Sequence, residues 1–233
     1  MKDSLSVIRK DIGDCKRCPL HRARDQLVFG EGNEDHPPVM FVGEGPGANE
    51  DETGRPFVGP AGQLLDKMIG AMGFLRTDVY ITNIVQCRPP ENRAPEYPEV
   101  EACRPFLERK IVAIAPKIIV ALGRPATVAL LGFDEPLSKL RGQWQKWKPR
   151  VPSSEFWLNK SAWPDIDVEH IRQHAEKKTF FKHAAIPLLP TWHPAYLLRN
   201  PAAKPESVDD LKKVIRKLAV LGEPTRYPGA LGI

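Results

Sequence analysis

The chain has 233 residues, of which 42% are hydrophobic and 27% are charged, a composition typical of a soluble globular protein of one domain. No apolar run approaches the roughly 20 residues that span a bilayer, and the acidic amino terminus lacks the apolar stretch of a signal peptide, so we expect a cytoplasmic protein with no membrane partner. The formal net charge of +5 mildly favours a polyanionic partner.

Strands and helices are predicted to alternate along the chain. Short apolar runs predict strands at 38–44, 79–85, 117–123 and within 186–194. Apolar residues at helical spacing predict helices at 62–74, 98–115, 124–132 and 207–222, and a long Gly/Pro loop is expected at 45–62. This alternation predicts an α/β fold, in which helices cover both faces of a parallel sheet. The last helix is charged and amphipathic, so we expect a monomer.

Glycine and polar residues stand where the predicted strands end. Glu44, Asn83, Gly123 and His193 each lie at or just beyond the carboxyl end of a strand. In open parallel sheets, sites lie at this edge. The sequence therefore predicts that these residues converge on one site.

Residues 143–186 interrupt the alternation and hold four of the five tryptophans. We interpret the chain as a single domain over 1–233 with an insertion at about 145–185, because a structureless loop of this length is unusual in a compact domain. A helix is expected around 167–177. The histidines of this segment show no metal-ligand pattern and are expected to be solvated; they are His170, His174 and His183.

The chain has four cysteines: a close pair, Cys15 and Cys18, and a distant pair, Cys87 and Cys103. A reducing cytosol argues against structural disulfides, and four thiolates in this pattern favour a metal site. Zinc and a [4Fe–4S] cluster both accept four thiolates, so the spacing leaves the metal open, as it does the alternative of four unrelated buried thiols.

Segments in the order of the chain resemble the motifs of the family 4 uracil-DNA glycosylases. They are C-K-R-C-P-L at 15–20, G-E-G-P-G-A-N-E-D-E-T-G-R-P-F-V-G-P-A-G at 43–62, T-N-I-V-Q-C-R-P-P-E-N-R at 82–93, L-R-G-Q-W at 140–144 and H-P-A-Y-L-L-R-N-P at 193–201. The resemblance implies a three-layer α/β sandwich with a central four-stranded parallel sheet flanked by helices. It also implies an amino-terminal region with a [4Fe–4S] cluster on Cys15, Cys18, Cys87 and Cys103. The segment 143–186 is longer than is usual in the family.

The resemblance further implies an enzyme that flips uracil out of DNA, hydrolyses its N-glycosidic bond and leaves an abasic site. His193 would donate a hydrogen bond to uracil O2 as negative charge develops on the leaving base. Glu44 is our choice for the residue that orients or activates water, and Glu50 is a second acidic candidate.

Other residues are assigned to binding. The side-chain amide of Asn83 matches O4 and N3–H of uracil, and Phe57 would stack on the flipped base. Glycines allow close approach of the backbone to the base; they are Gly43, Gly45 and Gly47. Leu197, with Leu198 as an alternative, would enter the vacated space in the DNA. The expected phosphate contacts are Arg88, Arg93 and Arg199.

Three other interpretations remain open at this point. A non-catalytic or covalently trapping uracil-DNA binding protein is disfavoured, because the segment after Asn83 contains no histidine that would serve as the trapping nucleophile. A zinc-bearing nucleotide-binding module would use the same four cysteines without chemistry. Action on another deaminated base, such as hypoxanthine, fits Asn83 less well than uracil does.

Overall fold

The computed structural model describes residues 4–150, 164–176, 185–223 and 225. The strands are β1 (Glu31–Gly32), β2 (Val39–Gly43), β3 (Tyr80–Asn83), β4 (Ile118–Leu122), β5 (Gln145–Trp147) and β6 (Ile186–Thr191). The helices are α1 (Leu5–Ile12), α2 (Ala48–Thr53), α3 (Pro60–Ala71), α4 (Tyr97–Ile114), α5 (Gly123–Leu131), α6 (Leu137–Leu140), α7 (Val168–Glu176), α8 (Pro194–Arg199) and α9 (Lys204–Val220).

The described strands form one mixed sheet of six strands in the order β1-β3-β2-β4-β6-β5. Strands β3, β2, β4 and β6 run parallel, and the short strands β1 and β5 pair antiparallel at the two edges. The sheet therefore differs from the expected four-stranded parallel sheet. The edge strands have two and three residues, too few to show an alternating pattern in the sequence.

Helices cover both faces of the sheet, as predicted for an α/β fold. Met40 and Val42 of β2 belong to a core cluster with residues of α1, α4, α5 and α7. Val39 and Phe41 belong to a second cluster with residues of α3, α8 and α9. Because successive side chains of a strand point to opposite faces, a strand buried on both faces must be apolar throughout, as β2 is.

The long helices and the central strands lie where the sequence predicted them, within a few residues at each end. The expected loop at 45–62, however, contains α2 and the start of α3. Helices α1, α6 and α8 were also not predicted; α6 and α8 have four and six residues, too few for a helical period to be recognised. Among the described residues, no helix has the length and apolar character needed to cross a membrane.

The expected helix around 167–177 is confirmed as α7, but the solvated histidines are not. The His170 ring stacks on Phe106 with 4.8 Å between ring centroids. Buried His174 places Nε2 2.9 Å from Glu108 Oε2. Both histidines lie at the contact of α7 with α4, so packing of the amphipathic α7 explains the difference. His183 lies outside the described residues.

Candidate active site

A cavity of about 1010 Å³ opens at the carboxyl edge of the sheet. It is built from the residues that follow β2, β3, β4 and β6, which confirms the predicted convergence of the strand ends. The sequence-predicted site residues that line it are Glu44, Gly45, Gly47, Glu50, Phe57, Asn83, Arg93, His193 and Arg199.

His193 caps the amino end of α8. Its Nδ1 accepts a hydrogen bond from the backbone N–H of Ala195 at 3.1 Å. Burial, followed by the nearby charge of Arg199, lowers the pKa of His193 to about 4. The imidazole is therefore neutral near pH 7 and carries its proton on Nε2, the nitrogen left to donate to a ligand.

Asn83 ends β3 with its side chain buried at 1% exposure. Its Oδ1 has no hydrogen-bond partner among the described residues. Buried acceptors are nearly always paired, because an unpaired buried polar group costs roughly 1–3 kcal/mol. The position of Oδ1 beside the cavity therefore fits a ligand that brings an N–H group.

Two buried residues that sequence reasoning missed support Asn83 from behind. Gln86 Nε2 donates to the backbone carbonyl of Asn83 at 3.0 Å. Lys110 Nζ in turn donates to Gln86 Oε1 at 2.7 Å and to Thr82 Oγ1 at 3.0 Å. The available signal was the position of Lys110 in the apolar stripe of α4, four residues after Phe106, where a lysine requires polar partners.

Phe57 is held against the floor of the cavity in a strained conformation. Its φ of 52° lies in the left-handed region, which is uncommon for a bulky residue and is found at functional sites. Its ring centroid lies 5.7 Å from that of His193. A Cβ on Gly43 would lie 2.4 Å from Phe57 Cζ and 2.5 Å from Asn83 Oδ1. Only glycine permits these two side chains to approach the strand end so closely.

The two acidic candidates differ in their surroundings. Glu44 is half-buried and lines the cavity, and burial raises the pKa of its carboxyl group. Glu50 Oε1 instead accepts hydrogen bonds from the backbone N–H groups of Val58 and Gly59, both at 2.8 Å. Its Oε2 accepts a third from Gly47 at 3.1 Å. The Glu50 carboxylate is thus engaged in holding the loop that carries Phe57.

The residues predicted to contact DNA have separate environments. Arg93 donates two hydrogen bonds to Glu99 at 2.7 and 2.9 Å, and Arg88 donates one to Asn92 at 2.9 Å. Arg199 is exposed at the cavity. Leu197 does not fit the expected role of a wedge in DNA, because it is 2% exposed and packs in the second core cluster. The next residue of α8, Leu198, is 44% exposed.

The four cysteines lie where α1, α4 and the segment after β3 meet. Burial, together with the neighbouring Cys87 and Cys15, raises the pKa of Cys18 to about 12. Burial also raises the pKa of the thiols of Cys87 and Cys103, and neighbouring cysteines add to both effects. The four thiols are therefore close enough to influence one another. Within the described part of the chain, no three His, Cys, Asp or Glu side chains are grouped as for a single metal ion.

Two arginines point towards the sulfur atoms. Arg24 Nη1 lies 3.1 Å from Cys87 Sγ, and Arg17 Nη1 lies 3.7 Å from Cys15 Sγ. Donors of this kind stabilise thiolates, the form of cysteine that binds metal. The segment before α7 also contacts the loop that carries Cys15 and Cys18, because the Asp167 N–H donates to the Arg17 carbonyl in that loop at 2.9 Å. The donor set and its surroundings therefore fit a group that needs four thiolates.

Comparison with known proteins gives consistent matches. Residues 29–219 match the family model described as the uracil DNA glycosylase superfamily. The chain is 40% identical over 231 residues to the type-4 uracil-DNA glycosylase of Sulfurisphaera tokodaii, with 97% of this chain and 88% of that protein covered. It is 36% identical over 226 residues to the type-4 uracil-DNA glycosylase of Archaeoglobus fulgidus, with 97% and 98% covered. The type-4 uracil-DNA glycosylase of Thermotoga maritima is 39% identical over 200 residues, 85% of each chain.

Proposed function

The chain belongs to the uracil DNA glycosylase superfamily, and from this premise we propose how its residues remove uracil from DNA. The enzyme hydrolyses the N-glycosidic bond of uracil in DNA, releases the free base and leaves an abasic site. The observation that carries the proposal is the unpaired, buried Oδ1 of Asn83 beside a neutral histidine in one cavity. A flipped base reaches such a cavity, whereas a stacked base does not.

Recognition of uracil follows from its pattern of donors and acceptors. Asn83 Oδ1 accepts from uracil N3–H, and the Asn83 side-chain amide N–H donates to O4. His193 Nε2–H donates to O2. Cytosine would bring the N3 lone pair to Oδ1 and its own amino group to the Asn83 amide, so both contacts would become repulsive. Phe57 supplies a face for stacking of the base.

Bond cleavage places negative charge on uracil and positive charge on the sugar. The His193 Nε2–H group stabilises the base as its charge grows, and burial of the imidazole strengthens this hydrogen bond. The Glu44 carboxylate accepts a proton from the attacking water and stabilises the sugar cation. Glu50 is a positioning residue, because its carboxylate holds the loop around Phe57.

Contacts to DNA use the exposed side of α8. Arg199 binds a phosphate, and Leu198 takes the place of the wedge that fills the gap left by the flipped base. Arg88 and Arg93 contribute positive potential, weakened for Arg93 by its ion pair with Glu99. We propose that the chain acts as one domain and in the cytoplasm. We also propose that it acts as a monomer, since every proposed catalytic group comes from one chain. The covalently trapping alternative is not favoured.

The wild-type chain is expected to release uracil from a single-uracil oligonucleotide and to leave the strand intact at an abasic site. Glu44→Gln keeps the shape of the side chain but removes the carboxylate that would act as general base. This variant is expected to release uracil at least about 100-fold more slowly than wild type. The measurement is the rate of uracil release under single-turnover conditions. Protein–DNA adducts in place of the free abasic strand would establish the trapping alternative, and a wild-type chain that releases no uracil would overturn the proposal.

The pH dependence of the same pair tests the role of Glu44. The carboxylate is the active form, and burial raises its pKa above the ordinary value. The wild-type rate should therefore fall on acidification at a higher pH than an ordinary glutamate would give, and before His193, with its pKa of about 4, is protonated. In Glu44→Gln this acid limb should be absent. An unchanged acid limb in the variant would assign it to another group.

We propose that Cys15, Cys18, Cys87 and Cys103 hold a [4Fe–4S] cluster. Support comes from the mutual influence of the four thiols and from the arginine donors beside two sulfur atoms. When bound, the cluster supplies four metal–thiolate bonds that tie the segment after α1 to α4, and hydrolysis of the glycosidic bond needs no electrons from it. Coordination would keep deprotonated the thiols that burial alone keeps protonated.

Protein purified without oxygen is expected to be brown and to contain iron and acid-labile sulfide in equal amounts. Cys18→Ser should lose both and unfold at a lower temperature, because metal binding contributes to folding free energy. Lys16→Gln is the control, since Lys16 lies between the two cysteines but is exposed and paired with Asp14, and it should keep the iron. Colourless wild-type protein that contains zinc would identify the site as a zinc centre.

A further inference from the structure

Two aromatic rings form a ledge on the wall of the catalytic cavity. Trp192 and Tyr196, called here the aromatic ledge, stack on each other with 4.6 Å between ring centroids and 26° between their planes. Both side chains are half-buried and both line the cavity that contains Asn83 and His193. The mechanism of uracil release uses neither ring.

The cavity is larger than the proposed substrate base requires. Its volume of about 1010 Å³ is at the top of the range that holds a whole drug-sized ligand, whereas uracil is a single pyrimidine ring. The proposed contacts to that ring come from Asn83, His193 and Phe57. Part of the remaining wall is formed by the aromatic ledge and Arg199, and a flat aromatic surface beside a cation is the arrangement that binds single-stranded nucleic acid.

The aromatic ledge is fixed to the catalytic histidine. Trp192 directly precedes His193, and the Tyr196 N–H donates to the His193 carbonyl at 2.9 Å. Trp192 Nε1 donates to Glu206 Oε2 at 2.6 Å, which sets the plane of the indole. The ledge therefore needs little reordering when a ring stacks on it, and a base bound there is held at a constant distance from the reacting uracil.

We propose that the aromatic ledge is a second base-binding subsite, which stacks the nucleobase next to the uracil on the same DNA strand. The inference rests on the proposed function, because it requires a uracil in the cavity. Stacking accepts any base, since every base has a π face, so the subsite raises affinity without a strong sequence preference. A single strand loses no base pair when its neighbouring base moves onto the ledge, and single-stranded DNA gains most from it.

The test combines a change in the enzyme with a change in the substrate. KM for uracil release is measured on single-stranded oligonucleotides in which the 5′ or the 3′ neighbour of uracil is either a base or an abasic analogue. With wild-type enzyme, removal of the base on one side should raise KM about 5- to 100-fold. Trp192→Ala should raise KM by a similar factor on the intact strand and show no further rise with the abasic neighbour.

Matched variants keep the result interpretable. Trp144→Ala removes a tryptophan that is 39% exposed and does not line the cavity, so it should behave as wild type. In Trp192→Phe, removal of the neighbouring base should still raise KM by most of the wild-type factor. Tyr196→Ala is a second variant for the same measurement if Trp192→Ala folds poorly. Equal penalties for the abasic neighbour in wild type and in folded Trp192→Ala or Tyr196→Ala would overturn the subsite while leaving the proposed function intact. Wild-type enzyme that releases no uracil from any strand would overturn both.

Discussion

His193→Ala is expected to lower the rate of uracil release by about 100- to 1000-fold, the usual effect of removing one preorganised donor to a developing anion. This corresponds to about 2.7–4 kcal/mol of lost transition-state stabilisation. The loss should fall mainly on kcat, because the Nε2–H bond to O2 strengthens as charge moves onto the base. Single-turnover rates on a uracil oligonucleotide measure it.

The histidine chosen as a control is His36, an exposed residue that is paired with Asp35 and is not among the residues that line the cavity. His36→Ala should release uracil at the wild-type rate. Because the pKa of His193 is lowered to about 4, the wild-type rate should not change between pH 6 and 8 through titration of this group. A His193→Ala variant within a few-fold of wild type would mean that another donor stabilises the base.

The role of His193 illustrates what the sequence could supply and what it could not. Resemblance of H-P-A-Y-L-L-R-N-P to a family motif predicted the donor to the base, and the strand before it predicted its place at the edge of the sheet. The choice of tautomer depends on the Ala195 N–H at 3.1 Å from Nδ1, a contact within one helix turn that no sequence pattern encodes.

The two acidic residues also show a distinction that the sequence could not make. Glu44 and Glu50 are both glutamates in one glycine-rich segment, and the sequence left open which of them dominates. Both residues line the cavity, and hydrogen bonds from the backbone of Val58 and Gly59 distinguish them, because these bonds engage the carboxylate of Glu50. These bonds depend on how the chain folds back after α2, a helix that the sequence did not reveal.

The direction of side chains on short helices could not be predicted from the sequence either. Leu197 and Leu198 are adjacent and chemically identical, so only the orientation of α8 decides that Leu197 packs in the core and Leu198 is exposed. By contrast, the central strands were predictable, since burial on both faces demands continuous apolar runs such as β2 and β4.

Asn83→Ala is expected to abolish most of the discrimination between uracil and cytosine. A site whose buried polar groups pair with one ligand rejects a mismatched ligand by about 10⁴- to 10⁵-fold, and this selectivity depends on the groups being present. Without the amide, cytosine no longer faces a repulsive partner, and uracil loses two hydrogen bonds. The ratio of kcat/KM for uracil and cytosine oligonucleotides should therefore fall by orders of magnitude, with most of the change from slower uracil release.

Asn33→Ala serves as the control, because its side chain accepts a local bond from the Asp35 N–H at 2.9 Å and does not line the cavity. A folded Asn83→Ala enzyme that still rejects cytosine as strongly as wild type would assign selectivity to the backbone around Gly45 and Gly47 instead. Gln86→Leu tests the position of Asn83 separately from its side-chain chemistry. It removes the 3.0 Å hydrogen bond to the Asn83 backbone carbonyl and leaves the side-chain amide of Asn83 in place. An intermediate loss of discrimination in that variant is expected, because Gln86 and Lys110 fix the end of β3, where Asn83 is proposed to contact the base.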